Sequence, residues 1–173
     1  GNKRMMEFQA VILLSQMERA KKDFDKRLEN ARYLDERFKE IPGIEPYKLA
    51  DGATRSSYHL YPFRYKKEHF DGLPRHKFRA AMQAEGIPCG RGYGQQYCDG
   101  LIEEAITSKG YKRLYSKERL DRYRDELHHL PENDQLTLEA AWFYQNMLLA
   151  DKQDMDDIVN AVQKIYENRS KLL

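Results

Sequence analysis

The sequence predicts an α/β chain: a long N-terminal helix, then a small, mainly antiparallel sheet with helices packed on it. Three observations carry this. Residues 6–40 contain neither proline nor glycine, and Phe24, Leu28, Ala31, Leu34, Phe38 and Ile41 recur at steps of three and four, the spacing of an amphipathic helix. Beyond them, short aromatic or β-branched runs alternate with helical ones. Those strand-like runs are too few for a doubly wound parallel sheet. The 173 residues fit one domain able to bury a real core, read as a long helix over 1–40 and a small α/β unit over 41–173.

Taken in order, the first half of the long helix, around Phe8-Gln-Ala-Val-Ile-Leu-Leu14, is apolar nearly all round, so it calls for cover on several sides. Residues 18–40 carry eight basic and seven acidic side chains, a solvated face laced with i,i+4 pairs. Pro42-Gly43 stops the helix. Residues 58–65 read as a strand with His59, Tyr61, Phe63 and Tyr65 on one face, and Pro62 places it at a sheet edge or on a bulge. Residues 74–85 read as a helix with Phe78, Ala81 and Met82 inward, closed by Gly86. Residues 87–93 read as a short strand entering a glycine-rich turn. Residues 101–106 suggest a short helix ended by Gly110, and Ser116 caps another reaching about Leu127. A helical turn over 137–141 and a short strand over 142–145 follow. The last helix starts at Asp151 or Asp154, with Met155, Ile158, Val162, Ile165 and Tyr166 inward.

Composition narrows the function. Thirty Lys+Arg against 28 Asp+Glu leave a net charge of +2, too little for a generally basic nucleic-acid binder. No apolar run reaches the length of a membrane span and the first residues lack a signal-peptide pattern, so a cytoplasmic setting is expected. Cys89 and Cys98 are expected as free thiols. With His128 and His129 they lack the chelate spacing of a zinc site, so no metal is expected. P-loop, zincin and nucleophile-elbow motifs are absent, and no catalytic residue is assigned within the chain.

Several ordered stretches resemble one family. They are Gly1-Asn-Lys-Arg-Met-Met-Glu-Phe-Gln-Ala10, Tyr58-His-Leu-Tyr-Pro-Phe-Arg64, Phe78-Arg-Ala-Ala-Met-Gln-Ala-Glu-Gly-Ile-Pro-Cys89, Gly92-Tyr93 and the run 145–159. Their order and spacing resemble the sugar- and cyclitol-modifying aminotransferases of the DegT/StrS family, which use pyridoxal phosphate (PLP) on the fold-type-I scaffold. The resemblance implies a small C-terminal domain of such an enzyme, with 1–40 as its connecting helix. Nothing here matches the family's Ser-x-x-Lys region, whose lysine holds the cofactor, so the cofactor-binding N-terminal domain is expected to lie outside this chain and the chain alone to be inactive. It further implies amino transfer from an amino-acid donor, such as glutamate or glutamine, to a keto-sugar or keto-cyclitol, by a homodimer.

The resemblance assigns site residues as well. Asn2 would donate to the cofactor's phosphate across the subunit boundary and Arg4 would lie beside it, whereas the residues alone read as an Asn cap and an exposed arginine. Arg91 and Tyr93 would touch substrate; the residues alone read as a turn with two exposed side chains. Several family members place a His-Tyr pair here. This sequence keeps the tyrosine as Tyr93 but has Gly92 for the histidine, which leaves cyclitols or unlinked amino sugars open as substrates. His59 reads as a satisfied core or interface histidine rather than a catalyst.

A second reading comes from a different class. Lys109, Lys112, Arg113, Lys117, Arg119, Arg122 and Arg124, interleaved with Tyr111, Tyr115 and Tyr123, form a basic-aromatic face over 109–124. That face suits a stand-alone binding module for an acidic partner or nucleic acid. Against it stand the near-neutral total charge and the simpler reading of a solvated helix answered by Asp125 and Glu126.

Overall fold

A computed structural model describes residues 4–98, 100–127 and 130–173. Asn2, His128 and His129 lie outside the described residues, so the readings placed on them do too. Helix α1 spans Glu7–Phe38, as the uninterrupted periodicity predicts. Four strands follow, β1 (Ile44–Pro46), β2 (Leu60–Tyr65), β3 (Gly90–Arg91) and β4 (Ala140–Tyr144). They form one antiparallel sheet in the order β1-β2-β4-β3. Helix α2 (Arg75–Ala84) lies between β2 and β3, and α7 (Lys152–Glu167) closes the chain. Between β3 and β4 run α3 (Leu101–Thr107), α4 (Lys109–Leu114), α5 (Lys117–Leu127) and α6 (Pro131–Glu139).

Strand alternation creates the core. Tyr61, Phe63 and Tyr65 of β2 and Ala141 and Phe143 of β4 are buried on one sheet face, because residues two apart share a face. Against them pack Leu34 and Phe38 of α1, Phe78 and Met82 of α2, and Met155, Ile158, Val162 and Ile165 of α7. The Phe38 ring sits 6.2–6.3 Å from the rings of Tyr61, Phe63 and Phe143. Tyr65 stacks on Phe78 at 4.4 Å between centroids. Two polar side chains of this core are answered: the Asn30 amide donates to the carbonyls of Leu148 and Ala150, both at 2.9 Å, and the Tyr61 hydroxyl donates to Asp35 at 2.7 Å. Asp151 caps α7 in a reciprocal box with Asp154, so both of the expected caps take part.

Three local readings are corrected. Tyr58 has a left-handed backbone, φ 47°, which turns the chain before β2; Tyr58 is therefore buried and His59 exposed, not a core histidine. Pro62 sits in an inner strand rather than at an edge. A strand residue's N–H and C=O point the same way, and the Pro62 carbonyl accepts from the Tyr47 N–H at 3.1 Å. Its missing donor thus falls beside Tyr47, just past the end of β1, so the one bond forgone is the reciprocal one to the Tyr47 carbonyl and the pairing with β4 is untouched. Gly110 lies inside α4; the preceding helix ends at Ser108, whose hydroxyl accepts from the Tyr111 N–H to cap α4, since serine competes for backbone donors at helix starts.

The first half of α1 stands apart from this core. Phe8, Val11, Ile12 and Leu14 keep 58–66% of their surface exposed. No helix among the described residues is long and apolar enough to cross a membrane.

Candidate functional site

Arg91 and Tyr93 are near neighbours in sequence, yet the fold sends them into different hollows. Gly90 pairs with Trp142 and Arg91 with Ala141, so Gly90 shares the outer sheet face with the indole, while Arg91 belongs to the opposite face at the sheet edge. The Trp142 ring lies across Gly90 so closely that a Cβ there would meet Nε1 at 1.9 Å. A Cβ at Gly92 would meet the Ala140 Cβ at 2.5 Å. Glycine at 92 is therefore a packing requirement, and a histidine would not fit without moving β4. Past β3 the chain carries Tyr93 over Trp142, their ring centroids 5.0 Å apart.

Tyr93 lines a hollow of about 580 Å³ on the outer sheet face. Its floor is Leu60, Pro62, Ala140 and Trp142; its roof comes from α3, α5 and α6 through Ile102, Leu127 and Leu136. The hollow is mostly apolar with polar groups at the rim, the usual make-up of a small-molecule site. Tyr97 donates to Asp134 at 2.5 Å and Gln95 donates to the same carboxylate at 2.9 Å. That bond pushes the Tyr97 hydroxyl up to about 12 and, with the Gln95 bond, holds Asp134 below the usual carboxylate range. The Trp142 Nε1 is buried, with no hydrogen-bond partner among the described residues.

Arg91 lines a second hollow of about 460 Å³ beside α2, with Arg75 and Arg79. The Arg75 guanidinium donates to the carbonyls of Thr137 and Ala140 at 2.6 and 2.8 Å, and Arg79 donates to the Cys89 carbonyl at 3.0 Å. Burial first, then the charges of Arg79 and Arg91, pull Arg75 below its ordinary value. Glu139, also in the lining, is bound by Arg64 and Lys66, both at 2.6 Å. The sequence reading passed over Arg75 and Arg79, although two arginines four apart on one helix face with no acidic residue to answer them were visible.

Arg4, with Gln9, Ile12 and Gln16, lines an open hollow at the start of α1. One guanidinium and two amides can donate to a phosphate, but among the described residues the lining holds no lysine and no carboxylate for the aldehyde and pyridine nitrogen of PLP. These residues fit one wall of a phosphate site and not a complete cofactor site.

The basic-aromatic stretch divides between α4 and α5. Arg124 pairs with Glu103 and Asp121, and Arg122 reaches Glu126 at 3.6 Å. Arg119 lies over the Tyr115 ring at 5.6 Å. Cys89 is buried, its thiol pushed up to about 12 by burial, and Cys98 is exposed; both are unbridged. Among the described residues no cluster of His, Cys, Asp or Glu is placed to hold a metal.

Comparison with known proteins follows the same lines. Residues 1–141 match the model of the DegT/DnrJ/EryC1/StrS aminotransferase family. The chain is 29% identical over 173 residues to an L-glutamine:2-deoxy-scyllo-inosose aminotransferase of Streptoalloteichus tenebrarius, covering 99% of this chain and 40% of that protein. It is also 29% identical over 175 residues to a putative L-glutamine:3-amino-2,3-dideoxy-scyllo-inosose aminotransferase of Micromonospora echinospora, covering 99% and 41%. The chain thus spans about two fifths of the length of these curated relatives. Among solved structures, 3-amino-5-hydroxybenzoic acid synthase superposes with a TM-score of 0.69 at 21% identity, over 94% of this chain and 39% of that one. Helicobacter pylori PseC, an aminotransferase of pseudoaminic acid biosynthesis, superposes at 0.64 and 21%, over 97% and 39%. These likenesses establish the fold as that of the corresponding part of fold-type-I aminotransferases. The chain belongs to the DegT/DnrJ/EryC1/StrS aminotransferase family.

Proposed function

We propose that this family member is the C-terminal part of a PLP-dependent aminotransferase that moves an amino group from an amino-acid donor, glutamine foremost, to a keto-cyclitol or keto-sugar. One observation carries the reading: 99% of the chain aligns with an enzyme named for glutamine and an inosose. In this reading residues 1–40 are the connecting helix and 41–173 the small domain, and the longer protein works as a cytoplasmic homodimer. The exposed apolar start of α1 supports a subunit or domain contact there, since large exposed patches usually mark interfaces.

PLP, when bound, supplies the electron sink for the transfer. The work of this chain is binding and orientation. Asn2 would donate its amide N–H to the phosphate and Arg4 would add a planar donor fork and fixed charge. Tyr93 offers a hydroxyl and an aromatic edge to the ring of the acceptor beside Trp142, over the apolar floor that excludes water from it. Arg91 offers charge on the other side of β3. Gly92 leaves no imidazole at this place, which favours a free cyclitol or amino sugar over a nucleotide-linked one.

The reading is tested in the longer protein by Asn2→Ala. PLP affinity is expected to fall roughly ten- to a hundredfold, the value of a charged hydrogen bond worth about 1.5–3 kcal/mol, with the melting temperature of the cofactor-free form unchanged. Unchanged affinity with a lowered melting temperature would make Asn2 a helix cap and remove its phosphate role.

A further inference from the structure

The hollow beside α2 gathers positive charge that the described residues do not answer. Arg75, Arg79 and Arg91 line it together, and among the described residues no carboxylate stands within 4.0 Å of any of the three. Glu139 is taken by Arg64 and Lys66, and the opposite charges of Lys67 and Glu68 sit exposed at the mouth. Like charges held together raise the free energy of the folded chain unless something of opposite sign joins them.

Their arrangement is also fixed in advance. Arg75 is tied by one nitrogen to the carbonyls of Thr137 and Ala140, and Arg79 by its Nε to Cys89. Each keeps its remaining guanidinium N–H groups for another acceptor. Arg91 comes from the sheet edge, and among the described residues no ion pair or side-chain hydrogen bond holds it. The start of α2 opens into the same hollow, with Pro74 at its cap, no side-chain cap bond and no acidic residue in its first turn. Its first N–H groups and the positive end of its dipole therefore add to the same field.

We infer that Arg75, Arg79 and Arg91 form an oxyanion site that takes the carboxylate or phosphate end of a small molecule. Planar guanidinium forks match the paired oxygens of either group, and a site anchored by backbone carbonyls keeps its geometry when empty. At Arg91 the inference extends the substrate role proposed above, but it rests on the charge cluster and not on amino transfer. Anion binding is measured without turnover, so either claim can fail while the other stands.

The test is calorimetric titration of the full chain at neutral pH and constant chloride, with inorganic phosphate in one arm and 2-oxoglutarate in the other. Saturation at one site per chain by at least one probe is expected, and the probe that binds identifies the end group. Arg91→Gln, which breaks no described bond, should weaken that binding at least about tenfold, as loss of a charged hydrogen bond does. Arg91→Lys should recover part of it, and Arg119→Gln, on the remote α5 face, none of the loss. If neither probe saturates the wild-type chain, or if Arg91→Gln binds like wild type, the site does not exist.

Discussion

The two halves of α1 share one unbroken backbone and both carry large apolar side chains, yet Ala31, Leu34 and Phe38 are fully buried while Phe8, Val11, Ile12 and Leu14 remain 58–66% exposed. The far half is held by partners of its own chain: Phe38 among three aromatic rings, and Asn30 against the carbonyls after β4. The near half meets water where such partners would be. Apolar content in a helix thus shows that cover is required, and not whether the same stretch of chain supplies it. The candidate cofactor residue Arg4 sits at the uncovered end, whereas the hollows of Tyr93 and Arg91 are built on the closed body.

Substitutions can separate the halves, beginning where the effect is greatest. Phe38→Ala should cost about 3–5 kcal/mol, the range for emptying an aromatic site in a packed core, read by urea unfolding. Asn30→Ala leaves a buried and a half-buried carbonyl without their donor and should cost about 1–3 kcal/mol by the same measurement. The closed body also carries an acid-sensitive clamp. Burial alone would raise the carboxyl of Glu139, but bonds from Lys66, Gln135 and Arg64 outweigh it and hold it below the ordinary glutamate range. A group depressed on folding stabilises above its unfolded value and loses that contribution as pH falls through its folded one. Glu139→Gln should therefore flatten the acid limb of the stability–pH curve, and an unchanged limb would remove Glu139 as the clamp. Least costly of all, Ile12→Ser in the near half should shift unfolding by no more than about 0.5 kcal/mol while reducing self-association in sedimentation. A loss as large as that for Phe38 would mean the near half is part of the same cooperative core.

Much of this was legible in the sequence because it depends on local pattern. The period of α1, the Pro74 and Gly86 boundaries of α2, the cap at Ser116 and the inward face of α7 all follow from side-chain spacing and backbone preference. The misreadings are places where distant structure decides. The left-handed Tyr58 shifts the alternation that placed His59 inward, and the short length of β1 lets Pro62 occupy an inner strand with only the bond to the Tyr47 carbonyl forgone. The site was partly legible. Resemblance pointed to Arg91 and Tyr93, but β3 ends at Arg91 and the chain beyond it carries Tyr93 over Trp142, and only the register with β4 shows that Gly92 is fixed by Ala140. Arg75 and Arg79 were missed because an arginine pair on a helix reads as solvated surface until Arg91 is brought to it across the fold.

The central claim is that this chain completes an aminotransferase and supplies binding rather than the reactive lysine. The direct measurement is amine formation from glutamine and 2-deoxy-scyllo-inosose with added PLP, followed by mass spectrometry, for the longer protein and for the 173-residue chain side by side. Sustained turnover by the longer protein and none by the chain alone is the predicted result. Absence of turnover in the longer protein with inososes and keto-sugars alike, or a stoichiometric, single-site covalent attachment of PLP to the isolated chain, would contradict it.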